Sequence, residues 1–114
     1  MSRRRIELGA AGETAAARWY QDNGYEVIDR NWRCRAGEID LIVGRGRVVV
    51  FVEVKTRTST VYGTPAEAVT PVKQRRIRRI AVAWLGASSR SAAQLRFDVA
   101  SVMGDRVEVI EDAF

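Results

Sequence analysis

Three residues whose types could do chemistry interrupt two otherwise apolar segments. Glu38 to Val43 and Val48 to Lys55 are rich in isoleucine and valine and read as strands, yet the first holds Asp40 and the second ends Glu53-Val54-Lys55. Side chains alternate along a strand, so Glu53 and Lys55 share a face with Val49 and Phe51, while Val52 and Val54 take the other. Apolar residues on both faces place this strand near the middle of a sheet. Its end therefore carries a carboxylate and an amine into a partly desolvated position, which is costly unless a partner or a metal compensates.

Gly44-Arg45-Gly46-Arg47 between the two segments is a hairpin signal. A two-residue loop at Gly46-Arg47, with the glycine supplying positive φ, sets Asp40 directly opposite Glu53. Directly opposed residues have Cβ atoms about 4.5–5.5 Å apart, where two carboxylates repel. A divalent cation would relieve the repulsion, and Mg²⁺ commonly takes one or two carboxylates with water and phosphate oxygens completing its shell. The same residues also read as a structural ion pair at a sheet end, and a loop centred one residue earlier would break the pairing.

The chain has 114 residues and no histidine, which excludes histidine-based serine or cysteine catalysis and histidine-ligated metal. Catalysis must run on carboxylates, lysine or hydroxyls. A formal net charge of +5 and a pI near 10.1 favour a polyanionic partner. All the basic residues except Lys55 and Lys73 are arginine, whose planar fork suits phosphate, although genomic base composition produces the same skew. The lone Cys34 rules out an internal disulfide and suits a reducing cytoplasm. MSRRR at residues 1–5 is not followed by an apolar run, so no signal peptide is expected, and the longest apolar stretch, Ile80 to Leu85, is too short to span a bilayer.

These residues need elements to hold them. Leu8, Ala11, Ala15 and Trp19 recur at helical steps, predicting a helix over Gly9 to Gly24, with residues 1–6 as a flexible basic N-terminus. Tyr25 to Trp32 reads as a strand and Arg33 to Gly37 as a cationic connection. Thr56 to Val69, with Gly63 and Pro65, reads as a functional loop. Thr70-Pro71 caps and opens a second helix with the apolar stripe Ile77, Ile80, Ala81, Trp84 and Leu85, ended by Gly86. Gln94 to Val102 and Arg106 to Glu111 alternate as a final strand pair. The order α-β-β-β-α-β-β predicts one α/β domain over residues 1–114, a mixed sheet flanked by helices.

Asp40 followed by Glu53-Val54-Lys55, after a helix carrying Glu13, resembles the PD-(D/E)xK nuclease superfamily and, within it, the archaeal Holliday-junction resolvases. Gly12-Glu13, Gly24-Tyr25, Asn31-Trp32-Arg33, Gly37 to Ile42, Val50 to Arg57 and Arg96-Phe97-Asp98-Val99 resemble the bacterial YraN family over nearly the whole chain. Ile39 stands where the superfamily's name has proline. The resemblance implies a restriction-endonuclease-like fold and makes Asp40 and Glu53 ligands of Mg²⁺ or Mn²⁺, with the Val54 carbonyl as a third. It gives Lys55 the role of positioning or deprotonating the attacking water, and Glu13 that of orienting metal-bound water or assisting a second ion. Glu13 reads equally as an acid favoured by the dipole of a helix's first turns. Glu38 and Asp98 read as a surface acid and a structural acid.

The second helix carries Lys73, Arg75, Arg76, Arg78 and Arg79 with no acid from Thr70 to Leu85. Lys73 and Gln74 share the stripe of Ile77 and Ile80, while Arg75 and Arg79 point away. The resemblance brings Lys73 and Gln74 beside the metal as phosphate or water contacts. Arg33, Arg35, Arg57 and Arg76, with Trp32 and Tyr62, offer phosphate contacts and stacking surfaces. Trp19 and Trp84 read as core. The expectation is a metal-dependent endonuclease acting on nucleic acid, DNA in preference and branched DNA in particular, dimeric if it cuts both strands. The alternative is a nucleic-acid-binding module that keeps the fold and cleaves nothing.

Overall fold

The computed structural model describes residues 3–57 and 69–114, with side chains from residue 8 onward. Tyr62 and the centre of the expected loop lie outside the described residues. The elements follow the expected order: α1 (Arg3–Asp22), β1 (Glu26–Cys34), β2 (Gly37–Arg45), β3 (Val48–Thr56), α2 (Pro71–Ala87), β4 (Gln94–Met103) and β5 (Arg106–Ile110).

Two boundaries correct the sequence reading. Helix α1 starts at Arg3, so the backbone of residues 3–8 is helical ahead of the start expected at Gly9. Arginine, isoleucine, glutamate and leucine all sustain a helix, and Gly9 did not mark its start. The helix ends as expected: Gly24 has φ +86°, and Tyr25 N–H donates to Tyr20 O while Gly24 N–H donates to Gln21 O, the paired bonds of a Schellman stop. Arg33 and Cys34, expected in a connection, instead extend β1, where they pair with Glu38 and Gly37. The turn shrinks to Arg35-Ala36.

The strands form one sheet in the order β1-β2-β3-β4-β5, antiparallel throughout except for the parallel pair β3–β4. A parallel pair needs a crossover, and α2 belongs to it. Thr70 caps α2, its Oγ1 accepting from Lys73 N–H at 3.3 Å, with Pro71 in the first turn. Each helix covers one face of the sheet. Ile77, Ile80, Ala81 and Trp84 of α2 pack on Ile39, Ile42, Val49, Phe51 and Val99. On the opposite face Ala16, Ala17 and Tyr20 of α1 pack on Leu41, Val43, Val50, Val52 and Ala100. Strand β3 contributes to both cores, which is why it is apolar in both alternating positions.

Asp98 is fully buried, and both carboxylate oxygens are used. It accepts from Tyr20 Oη at 2.7 Å, from Arg96 Nε and Nη2 at 2.9 Å each, and from Asp112 N at 3.0 Å. Arg96 also donates to Tyr25 Oη at 3.0 Å. This closed network ties α1, β4 and the chain end together, so the structural reading of Asp98 stands. Burial and the neighbouring carboxylate push the Tyr20 hydroxyl's pKa well up, keeping it a donor.

Candidate active site

Strands β2 and β3 pair from Arg45↔Val48 to Leu41↔Val52, the register set by a two-residue Gly46-Arg47 loop in which Gly46 has φ +60°. The ladder then stops, one step before Asp40 and Glu53. Beyond it each strand follows its outer neighbour: Ile39, Glu38 and Gly37 stay on β1, while Glu53 to Thr56 stay on β4. The expected direct pair is therefore replaced by a fork. Asp40 fills it with its side chain, Oδ2 accepting from Val54 N–H at 2.8 Å. Val54, expected to offer its carbonyl to a metal, here also offers its amide to the acid.

The fork makes Asp40 electrostatically exceptional. Burial, then the carboxylate of Glu53, push its pKa up to about 7; the Val54 amide opposes this, and Glu13 and Glu38 add to the rise. Three acids thus bear on one half-buried carboxyl. Among the described residues no three carboxylate, thiol or imidazole groups converge closely enough to form a metal cage. Asp40 and Glu53 form a carboxylate pair, the donor set that suits a hard divalent ion with water and phosphate completing the shell. The chemistry of Asp40 and Glu53 fits Mg²⁺ or Mn²⁺ on that basis.

Glu53 and Lys55 share the α2 side of β3, as alternation requires, and Lys55 Nζ lies 3.4 Å from Glu53 Oε1. Lys73, in the first turn of α2, reaches the same place. The ammonium of Lys55, followed by burial, pulls the Lys73 pKa down, and Glu53 partly restores it. Gln74 does not join them, since its Nε2 donates to Val69 O at 3.1 Å and anchors the return into α2. Arg76 leans over the turn between β1 and β2, where its Cδ limits space at Gly37 (φ +140°). Arg35 lies in that turn. Arg33 is turned to Glu38, Nε to Oε2 at 2.7 Å. Arg57 continues the chain past β3, its N–H donating to Val102 O at 2.8 Å. Trp84 is core, with Nε1 donating to Asp29 Oδ2 at 2.8 Å. Trp19, expected in the core, packs half-buried against the α1-side core and also lines a surface groove with Ala15, Arg18, Asp22, Asp105 and Val107.

Glu13 approaches from the other face. Because α1 starts at Arg3, Glu13 lies in mid-helix and the helix-dipole explanation falls away. Gly12 makes the approach close: a Cβ there would overlap Thr56 Oγ1 at the end of β3. Asn31 of β1 meets Glu13. Oriented as its neighbours require, its amide nitrogen donates to Glu13 Oε2 at 2.8 Å and to Glu38 Oε1 at 3.0 Å. Burial raises the Glu13 pKa, while Asn31 and Arg30 oppose the rise. Neither the Asn31 contact nor the fit of Gly12 to Thr56 follows from the residue pattern. The available signal was an asparagine, a residue tolerant of positive φ, inside a strand.

The model of the uncharacterised protein family UPF0102 matches residues 12–102. The chain belongs to the UPF0102 family. A UPF0102 protein of Rhodococcus opacus (strain B4) is 54% identical over 114 residues, covering 96% of this chain and 97% of its own. One from Moorella thermoacetica is 45% identical over 120 residues, covering 100% of this chain and 98% of its own. The UPF0102 match spans Glu13, Asn31, Asp40, Glu53, Lys55 and Lys73, so the fork and its surroundings lie inside the family's common extent.

Proposed function

We propose that this UPF0102 protein is a Mg²⁺- or Mn²⁺-dependent endonuclease that hydrolyses phosphodiester bonds in nucleic acid, with DNA, and branched DNA in particular, as substrate. The observation that carries the reading is the Asp40 carboxylate, half-buried at a fork in the sheet and charge-opposed by Glu53, whose own carboxylate contacts the Lys55 ammonium with Lys73 beside it. Repelling acids beside two amines are a poor structural device and a good phosphoryl-transfer one.

Asp40 and Glu53 would hold the ion, with the Val54 carbonyl as a further oxygen. When bound, the ion supplies Lewis-acid stabilisation of charge on phosphate oxygens. Lys55 holds the attacking water or the phosphate, and its positive charge meets the negative charge that grows as the water oxygen bonds to phosphorus. Lys73, its ammonium beside that of Lys55, adds a second cation on the α2 side. Glu13 orients water from the α1 side. Water attack forms one P–O bond as that water releases a proton to solvent, the bond to the leaving oxygen breaks, and that oxygen takes up a proton from solvent. Arg35 and Arg76, around the turn between β1 and β2, extend the positive surface for phosphate.

One site per chain requires two copies to cut two strands, and a two-fold dimer matches a four-way junction. The lone Cys34 fits a cytoplasmic setting. The second reading, a binding module without cleavage, draws on the Glu53–Lys55 contact, which partly satisfies both groups without a metal. Nicking of supercoiled plasmid separates the two: the endonuclease nicks with Mn²⁺, stops with chelator and fails as Lys55→Ala, whereas a binding module retards the plasmid and never nicks it.

A further inference from the structure

Asn31 marks an irregularity that the two strands share. It has φ +51° inside a β-strand, a left-handed conformation that non-glycine residues enter only when the surroundings impose it. Pairing between β1 and β2 runs Arg30↔Leu41 and Trp32↔Ile39 and passes over the step between, Asn31 and Asp40. Side-chain alternation also breaks there, since Ile39 packs in the α2-side core and Leu41 in the α1-side core, although residues two apart in a regular strand share a face. The irregularity of one strand thus sits across from the Asp40 of the other.

The side chain of Asn31 makes use of this position. Its amide nitrogen bridges Glu13 Oε2 (2.8 Å) on α1 and Glu38 Oε1 (3.0 Å) on β2. Beside it Arg30 Nη2 donates to Thr14 Oγ1 at 3.1 Å, a second tie between β1 and α1. Aspartate in place of Asn31 would turn a donor into an acceptor facing two acids. Asparagine combines tolerance of positive φ with an uncharged donor that can satisfy two carboxylates at once.

We infer that Asn31 is a positioning residue: its side-chain amide clamps Glu13 beside Asp40, so that the acid delivered by α1 joins the site built on β2 and β3. This rests on the catalytic reading above and extends it to a residue with no reactive chemistry of its own. Outer partners that orient site carboxylates typically change metal affinity or activity by about 10–100-fold when removed.

The test uses the full chain with Asn31→Gly, which keeps the left-handed backbone and deletes the amide, and Glu13→Ala. Side-chain amide NMR signals of Asn31 are expected to be protected from exchange in the wild type and solvent-like in Glu13→Ala. Mn²⁺ affinity by calorimetry is expected to fall about tenfold in Asn31→Gly, with an unchanged thermal midpoint. Adding Asn31→Gly to Glu13→Ala should then change nothing more. An unprotected amide in the wild type overturns the clamp whatever the metal does. Wild-type Mn²⁺ binding that is undiminished in Asn31→Gly, or a loss that persists in the Glu13→Ala background, overturns the positioning role alone. A wild type that takes up no Mn²⁺ while its Asn31 amide is protected overturns the catalytic reading, and the role in it, by a distinct signature.

Discussion

The Val54 amide donates to the Asp40 carboxylate at 2.8 Å just beyond Leu41↔Val52, where the β2–β3 ladder has ended. A main-chain donor near the middle of the sheet is satisfied by an acid side chain, and the acid is held at the fork. The consequences reach stability, pH response and catalysis.

Asp40 has a folded-state pKa raised from 3.8 to about 7. A raised carboxyl pKa means the folded protein holds the proton more tightly than the unfolded chain. The associated stability is fully present below the unfolded pKa and is lost as pH rises through about 7. Metal-free protein should therefore unfold at lower urea at pH 8 than at pH 5. Asp40→Asn should flatten that dependence, by up to about 1.4 kcal/mol for each pH step of one between the unfolded and folded pKa values. Urea midpoints in chelator across this range measure it; an equal slope in the variant would contradict the assignment.

Lys55→Ala should keep Mn²⁺ affinity and nucleic-acid affinity while cleavage drops on the order of 10²–10³-fold, the usual cost of deleting one group that stabilises transition-state charge. Single-turnover cleavage alongside calorimetry separates the effects. Loss of metal binding in this variant would mean that Lys55 supports the fork structurally.

Asp98→Ala should destabilise the protein by about 3–5 kcal/mol, because it leaves the nearly buried Arg96 guanidinium without its carboxylate. Tyr20→Phe should cost about 1.5–3 kcal/mol through the loss of one hydrogen bond to a charged acceptor, Asp98 Oδ2 keeping its bond from Arg96 Nη2. Denaturant unfolding reads both, and folded Tyr20→Phe should bind Mn²⁺ as the wild type does.

Gly12→Ala forces a methyl group into Thr56, so a loss of about 1–3 kcal/mol is expected from overpacking. Thr56→Ala in the same chain should recover part of it, since the Oγ1 and Cγ2 atoms in the way are gone. Strictly additive losses would show that α1 is not held against β3 at this point.

Arg75 and Arg79 are exposed on α2, and no ion pair is formed by either among the described residues. Replacing both with glutamine should lower the slope of log affinity against log salt by up to about 1.8 for duplex DNA, leaving Mn²⁺ binding intact. An unchanged slope would assign this face elsewhere.

Much of this architecture could be read from residue types. Apolar positions on both faces marked β3 as central, Thr70-Pro71 marked the start of α2, and Gly46 fixed the hairpin register through Leu41↔Val52. The fork at Asp40 was not legible, because a ladder's end depends on which neighbour each strand follows. Asn31 was hidden for a related reason: its residue type permits a left-handed turn without requiring one, and only the acids on α1 and β2 make use of it. Gln74 had the right spacing for the site, but the Val69 carbonyl takes its amide.

The central claim is tested most directly by incubating end-labelled single-stranded, duplex, flap and four-way-junction DNA with wild type and Glu53→Ala, purified identically, in Mg²⁺ or Mn²⁺. Metal-dependent cutting by the wild type is expected, strongest on a branched substrate and absent in Glu53→Ala. Binding without cutting on every substrate, or equal cutting by both proteins, would contradict it.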